Sequence, residues 1–165
     1  MQVDVADAGE LGYELELARR LATLMELWGS PRFRSGIVST TGTGLGVTES
    51  RMLWELGFRG PTRPGVLAVE IGIGAPSITK AAARLRERGL LTTGADPADG
   101  RAALLELTPE GRETTHELYR LGDDMMRRLT ASWSDAEVAA LTGMLARLTD
   151  DALAFADALD ADAER

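Results

Sequence analysis

The chain has no cysteine, a single histidine, a single lysine and only 5% aromatic residues among its 165 positions. Without cysteine there can be no disulfide, no thiolate metal site and no thiol-oxidation switch. His116 cannot build a zinc site alone, so no metal and no cofactor are expected. No apolar run approaches the roughly 20 residues needed to cross a bilayer, and the first residues carry Asp4, Asp7 and Glu10 where a secretory leader would be basic and then apolar. A cytoplasmic protein without a membrane partner is the expectation. A catalytic constellation is missing too. The pairs Asp123-Asp124 and Asp150-Asp151 are adjacent in sequence and diverge on a helix, and His116 beside Glu113 and Glu117 reads as a surface or interface residue. An enzyme is therefore not expected.

What the chain does have is concentrated between Gly60 and Glu113. Pro64 suits a first helical turn, and Leu67 and Ile71 follow four apart on one face, predicting a short helix over 64–71. Gly72 and Gly74 supply a tight turn. A second helix is predicted over 76–88, with Ile78, Ala82 and Leu85 on one buried arc and Pro76, Thr79, Lys80 and Ala83, flanked by Ser77 and Arg84, on the opposite one. That outer arc starts with small or hydrogen-bonding residues and carries cations, which is what a helix needs to enter a major groove about 12 Å wide. Arg86 and Arg88 lie elsewhere on the wheel, where they complement the helix dipole. Leu90–Thr93 and Ala102–Leu107 read as two strands around the turn-rich segment Gly94–Arg101, in which Asp96 precedes Pro97 as a turn former. Thr108-Pro109 then caps a further helix.

Helix, turn, basic helix, hairpin and helix in that order predict a winged helix-turn-helix that reads double-stranded DNA. The run Ile78-Thr79-Lys80 through Gly89-Leu90, the wing Asp96-Pro97-Ala98-Asp99-Gly100-Arg101 and the exit Leu107-Thr108-Pro109-Glu110-Gly111 resemble the MarR family of dimeric transcription regulators. The resemblance implies a wing that sets Arg101 in the minor groove with Asp99 steadying it. The outer arc of the second helix is expected to set Pro76, Ser77, Thr79, Lys80 and Arg84 in the major groove. The family usually has an arginine where this chain has Gly100, and often another before the wing, where Thr92, Thr93 and Gly94 stand. A weaker grip on the phosphates is expected.

Charge agrees with that expectation. From Arg51 to Arg101 eight cations face five carboxylates, a local +3 within a chain of −8, which leaves −11 elsewhere. A mildly basic reader on an acidic scaffold should make few phosphate contacts and show a shallow salt dependence. The predicted architecture is mainly α with a small β wing: residues 1–45 a dimerisation helix and connector, 46–108 the DNA-binding domain, and 109–165 C-terminal dimerisation helices. Leu11–Trp28 carries two apolar stripes, and Thr41-Gly42-Thr43-Gly44-Leu45-Gly46 reads as a flexible connector, since no Lys-Ser/Thr pair makes it a phosphate loop. A helix is predicted over 48–56. Further on, Leu118, Leu121, Met125 and Leu129 recur at helical spacing; Ser134 to Glu137 forms a capping box before Val138, Leu141, Leu145, Leu148, Ala152 and Phe155. Intertwined terminal helices would make a homodimer on an inverted repeat.

The family resemblance further implies a small aromatic or anionic effector between the dimerisation helices and the reader. Candidate lining residues are Trp28, Arg51, Met52 and Trp54, with core packing as the competing role for each. The alternative reading of the whole chain is a winged-helix dimer that binds a ligand or protein partner and has lost DNA.

Overall fold

The computed structural model describes residues 12–40 and 42–163. They form α1 (Glu16–Gly29), α2 (Pro31–Thr40), α3 (Val47–Arg59), α4 (Pro64–Ile71), α5 (Ala75–Glu87), β1 (Leu91–Asp96), β2 (Asp99–Leu107), α6 (Pro109–Leu129) and α7 (Asp135–Ala163). The expected mainly helical fold with a small β wing is what is found. Asp4, Asp7, Glu10, Leu11 and Thr41, used in the sequence reading, lie outside the described residues. The chain divides into two compact units, Met1–Arg120 and Leu121–Arg165.

One element was not anticipated. The span between the first helix and the reader holds α2, where only a connector was expected. Ser30 Oγ accepts the Phe33 N–H at 3.2 Å and Pro31 fills the first helical position, so a cap signal was present in Ser30-Pro31. The remaining loop is also less free than predicted. Arg88 donates to the Thr43 and Gly44 carbonyls at 2.7 and 3.2 Å and fastens it to the end of α5.

The first unit's core is built from α3, α4, α5 and the hairpin. Met52, Leu53, Leu67, Ile78, Leu85 and Leu105 are fully buried, each contributing about 1.5–3 kcal/mol by leaving water. On α5 the buried residues are Ile78, Ala81, Ala82 and Leu85, so the predicted inner arc is correct. Helix α4 ends at Gly72, whose φ of 70° is left-handed; the Ile73 N–H reaches back to the Ala68 carbonyl at 3.0 Å, closing the last turn. The chain then bends by 111° into α5, within the range of helix-turn-helix units.

The hairpin is tighter at its tip than the sequence indicated. Leu91 pairs with Leu107 and the register runs regularly to Ala95 with Ala103, then shifts so that Asp96 faces Asp99 across Pro97-Ala98. The expected eight-residue turn is thus two residues with an irregularity at Gly100 to Ala102. Asp96 causes this, because its carboxylate accepts the Ala98 N–H at 2.8 Å and closes the turn. At the base, Thr62 exchanges backbone hydrogen bonds with Leu105 at 3.1 and 2.9 Å, tying the hairpin to the chain entering α4.

Helix α6 starts as predicted: Thr108 Oγ accepts the Gly111 N–H at 3.0 Å and donates to the Gly89 carbonyl at 2.6 Å. It crosses α3 closely at Gly57, where a Cβ would stand 2.5 Å from the Tyr119 hydroxyl. In the second unit, the Glu137 carboxylate accepts the Ser134 N–H at 2.8 Å and Ser134 Oγ accepts the Glu137 N–H at 3.3 Å, the predicted capping box. No single helix among the described residues is long and apolar enough to cross a membrane.

Candidate nucleic-acid interface

The helix-turn-helix leaves one face of α5 open. Pro76, Ser77, Thr79, Lys80, Ala83 and Arg84 are all exposed, opposite the arc that α5 commits to the core. Thr79 donates its hydroxyl to the Ala75 carbonyl at 3.0 Å, which leaves the oxygen's lone pairs outward as an acceptor. Lys80 has no carboxylate partner among the described residues.

Arg84 is differently placed from the free cation that the helical wheel suggested. Its Nη1 lies 3.3 Å from Oε1 of Glu49, whose side chain is 8% exposed. Glu49 also accepts the Gly46 N–H at 2.8 Å, so it joins the start of α3 to the outer flank of α5. The rest of the Arg84 fork stays solvated. Arg86 donates to Thr93 Oγ from Nε and Nη2 at 3.1 and 2.7 Å, holding α5 to β1. With Arg88 on the loop carbonyls, both of these cations have specific partners, where dipole compensation alone was expected.

The wing tip gathers four charged groups. Arg63, directly before α4, places Nε 2.6 Å from Asp96 Oδ2 and Nη2 3.9 Å from Asp99 Oδ2. Asp96 is 7% exposed, and its carboxyl is held below the usual range by the Ala98 N–H and then by the Arg63 guanidinium. Asp99 accepts the backbone N–H of Arg101 at 3.1 Å. It therefore steadies Arg101 through the main chain, leaving that guanidinium without a carboxylate partner among the described residues.

The four residues expected around an effector differ in exposure and partners. Met52 is 0% exposed and belongs to the core, the competing role offered for it, because the inward face of α3 packs on α4 and α5. Arg51 is half-buried, and burial, then the nearby Arg34, lowers its pKa. Trp28 is partly exposed on α1. Trp54 meets Tyr119 edge to face with ring centres 4.7 Å apart, and the Tyr119 hydroxyl donates to the Trp54 carbonyl at 3.0 Å.

A cavity of about 290 Å³ lies nearby, lined by Leu56, Pro61 and Leu107, by Glu106, and by Arg112, His116 and Tyr119 of α6. None of the four expected residues lines it. Arg112, His116 and Tyr119 recur at helical spacing on one face, a signal present in the sequence but obscured by the acidic residues around it. Burial raises the Tyr119 pKa, with Glu55 adding to the effect.

Comparison with known proteins agrees with this geometry. Residues 43–102 match the model of the MarR family. A Thauera aromatica protein described as a transcriptional regulatory protein for the hcr operon is 31% identical over 86% of this chain and 80% of its own length. The HTH-type transcriptional repressor IacR of Pseudomonas putida is 27% identical over 61% of this chain and 60% of its own. In fold, the chain is similar to the wild-type apo form of MarR from E. coli, with a TM-score of 0.64 at 20% identity over 83% of this chain and 98% of that one.

Proposed function

The chain belongs to the MarR family of DNA-binding transcription regulators, and from that premise we propose that it is a homodimeric, ligand-responsive repressor acting on an inverted-repeat operator in the cytoplasm. The observation that carries this reading is the outward arc of α5, small at its start and cationic at Lys80, mounted beside an arginine-tipped wing. Pro76, Ser77, Thr79, Lys80 and Arg84 read the major groove; Arg101 enters the minor groove, with Asp99 fixing its backbone. Residues 46–108 form the reader, and 1–45 and 109–165 supply the pairing helices.

Two readers on one duplex require a dimer whose half-sites lie about one helical turn, roughly 34–36 Å, apart. Leu15 just before α1, Leu17 and Met25 of α1, and Leu153, Phe155 and Leu159 of α7 are exposed, supporting pairing through both terminal regions. The effector is a small aromatic acid held in the cavity beside α6, where Arg112 and His116 meet its carboxylate and Leu56 and Leu107 its ring. Bound there, it biases how α6 meets the reader and so shifts the DNA-competent population.

Fluorescence anisotropy against DNA upstream of the gene and against scrambled DNA, across a salt series, tests the reading. Preferential binding with a shallow salt slope is expected. Equal weak binding to both sequences would favour the winged dimer that has lost DNA. For the effector, titration with phenolic acids should quench Trp54 saturably in the native chain, and Arg112→Ala should abolish the response.

A further inference from the structure

We propose that Arg63 is a positioning residue for the wing, bracing the hairpin tip from the start of α4 so that Arg101 is presented to DNA. The inference rests on Arg101 being the wing's DNA contact. The residue before a helix usually caps it with a side-chain oxygen, but Arg63 makes no cap hydrogen bond and spends its guanidinium on the wing. It spans both ends of the turn: Asp96 at 2.6 Å on one side of Pro97-Ala98, and Asp99 at 3.9 Å on the other. Each aspartate is bonded in turn to the tip's backbone, Asp96 to the Ala98 N–H and Asp99 to the Arg101 N–H, at 2.8 and 3.1 Å. A continuous set of contacts therefore runs from the helix-turn-helix to the main chain of Arg101.

Ladder pairing itself gives the main chain of Arg101 little hold at that point. Regular pairing ends at Ala95 with Ala103, and Arg101 lies inside the register shift. The exchange between Thr62 and Leu105 fixes the base of the hairpin, well below its tip. Arg63 also has an electrostatic role. Asp96, Asp99, Arg63 and Arg101 sum to zero, so removing Arg63 would leave a net negative tip facing the phosphates.

The test combines a double-mutant cycle with a probe that needs no DNA. Arg63→Ala should weaken operator binding about tenfold, the size of one charge-assisted contact, and should cost clearly less in an Arg101→Ala background, where only the charge effect is left. Equal costs in both backgrounds, or none in the native chain, would overturn the proposal. Because the chain has no cysteine, a nitroxide attached through Ala98→Cys reports on the tip alone. Arg63→Ala should sharpen its EPR spectrum, whereas Arg101→Ala should leave it unchanged; an unchanged spectrum in Arg63→Ala would refute the brace. Should Arg63→Ala fail to fold, Asp96→Asn serves instead, since asparagine can still accept the Ala98 N–H. Braced geometry predicts a more mobile tip and weaker binding in that variant, although it loses a negative charge; stronger binding would refute the brace. A native chain that bound no DNA would sink the regulator reading, and the nitroxide spectra would still decide whether the brace exists.

Discussion

Helix α5 buries four of its thirteen residues, whereas α7, at twenty-nine residues, buries none that is described. Both carry apolar residues at helical spacing. The difference lies in what is available to cover them: α5 finds α3, α4 and β1 within its own unit, while Phe155 and Leu153 on α7 are 66% and 62% exposed. One helix is completed by its own fold. The other is the face that the proposed homodimer would cover, so stability should separate into a part independent of concentration and a part that depends on it.

That contrast can be broken most severely at Leu85. Leu85→Ala should cost about 2–5 kcal/mol by leaving a cavity under α5, read as a lower urea midpoint at every protein concentration. Phe155→Ala should instead act through association, weakening self-affinity by about tenfold or more while leaving the dilute-limit unfolding midpoint nearly unchanged. Sedimentation velocity across a dilution series checks it, and a loss of stability independent of dilution would place Phe155 in the monomer's own core. A smaller effect, about 1 kcal/mol, is expected from Thr108→Ala, which removes the α6 cap and its bond to Gly89. Urea unfolding should detect it without any change in mass.

Acid should sharpen the contrast further, because its target sits in the reader. The Asp96 carboxyl is depressed by the Ala98 N–H and Arg63, so its contribution is present above its unfolded pKa and is lost as pH falls through the lower folded value. Between about pH 5 and pH 2 the native chain should therefore lose more stability than Asp96→Asn. Parallel profiles for the two would remove Asp96 as a contributor.

Much of the reader was legible because its signals are local. Pro64 and Gly72 bound α4, Ile78, Ala82 and Leu85 mark the inner arc of α5, and Thr108 and Ser134 cap their helices through neighbours three residues away. Helix α2 was missed although Ser30-Pro31 announced it, because its weak apolar pattern resembles a connector. The long-range arginine contacts were not legible for a different reason. Arg63 and Asp96 are 33 residues apart, Arg84 and Glu49 are 35, and Arg88 reaches Thr43 across 45, so only the fold brings them together. Whether Met52 lines a crevice or fills the core was left open by the sequence, since a helical position does not say which face will be covered.

The Arg88 contacts alter how motion travels through the molecule. The exposed residues proposed to face the groove begin at the N-terminal end of α5, while its other end is hooked to the carbonyls of Thr43 and Gly44. That strap carries the chain in from α2 toward α3. A slack loop would absorb a displacement of α2, whereas a hooked one should make the loop and the end of α5 shift together.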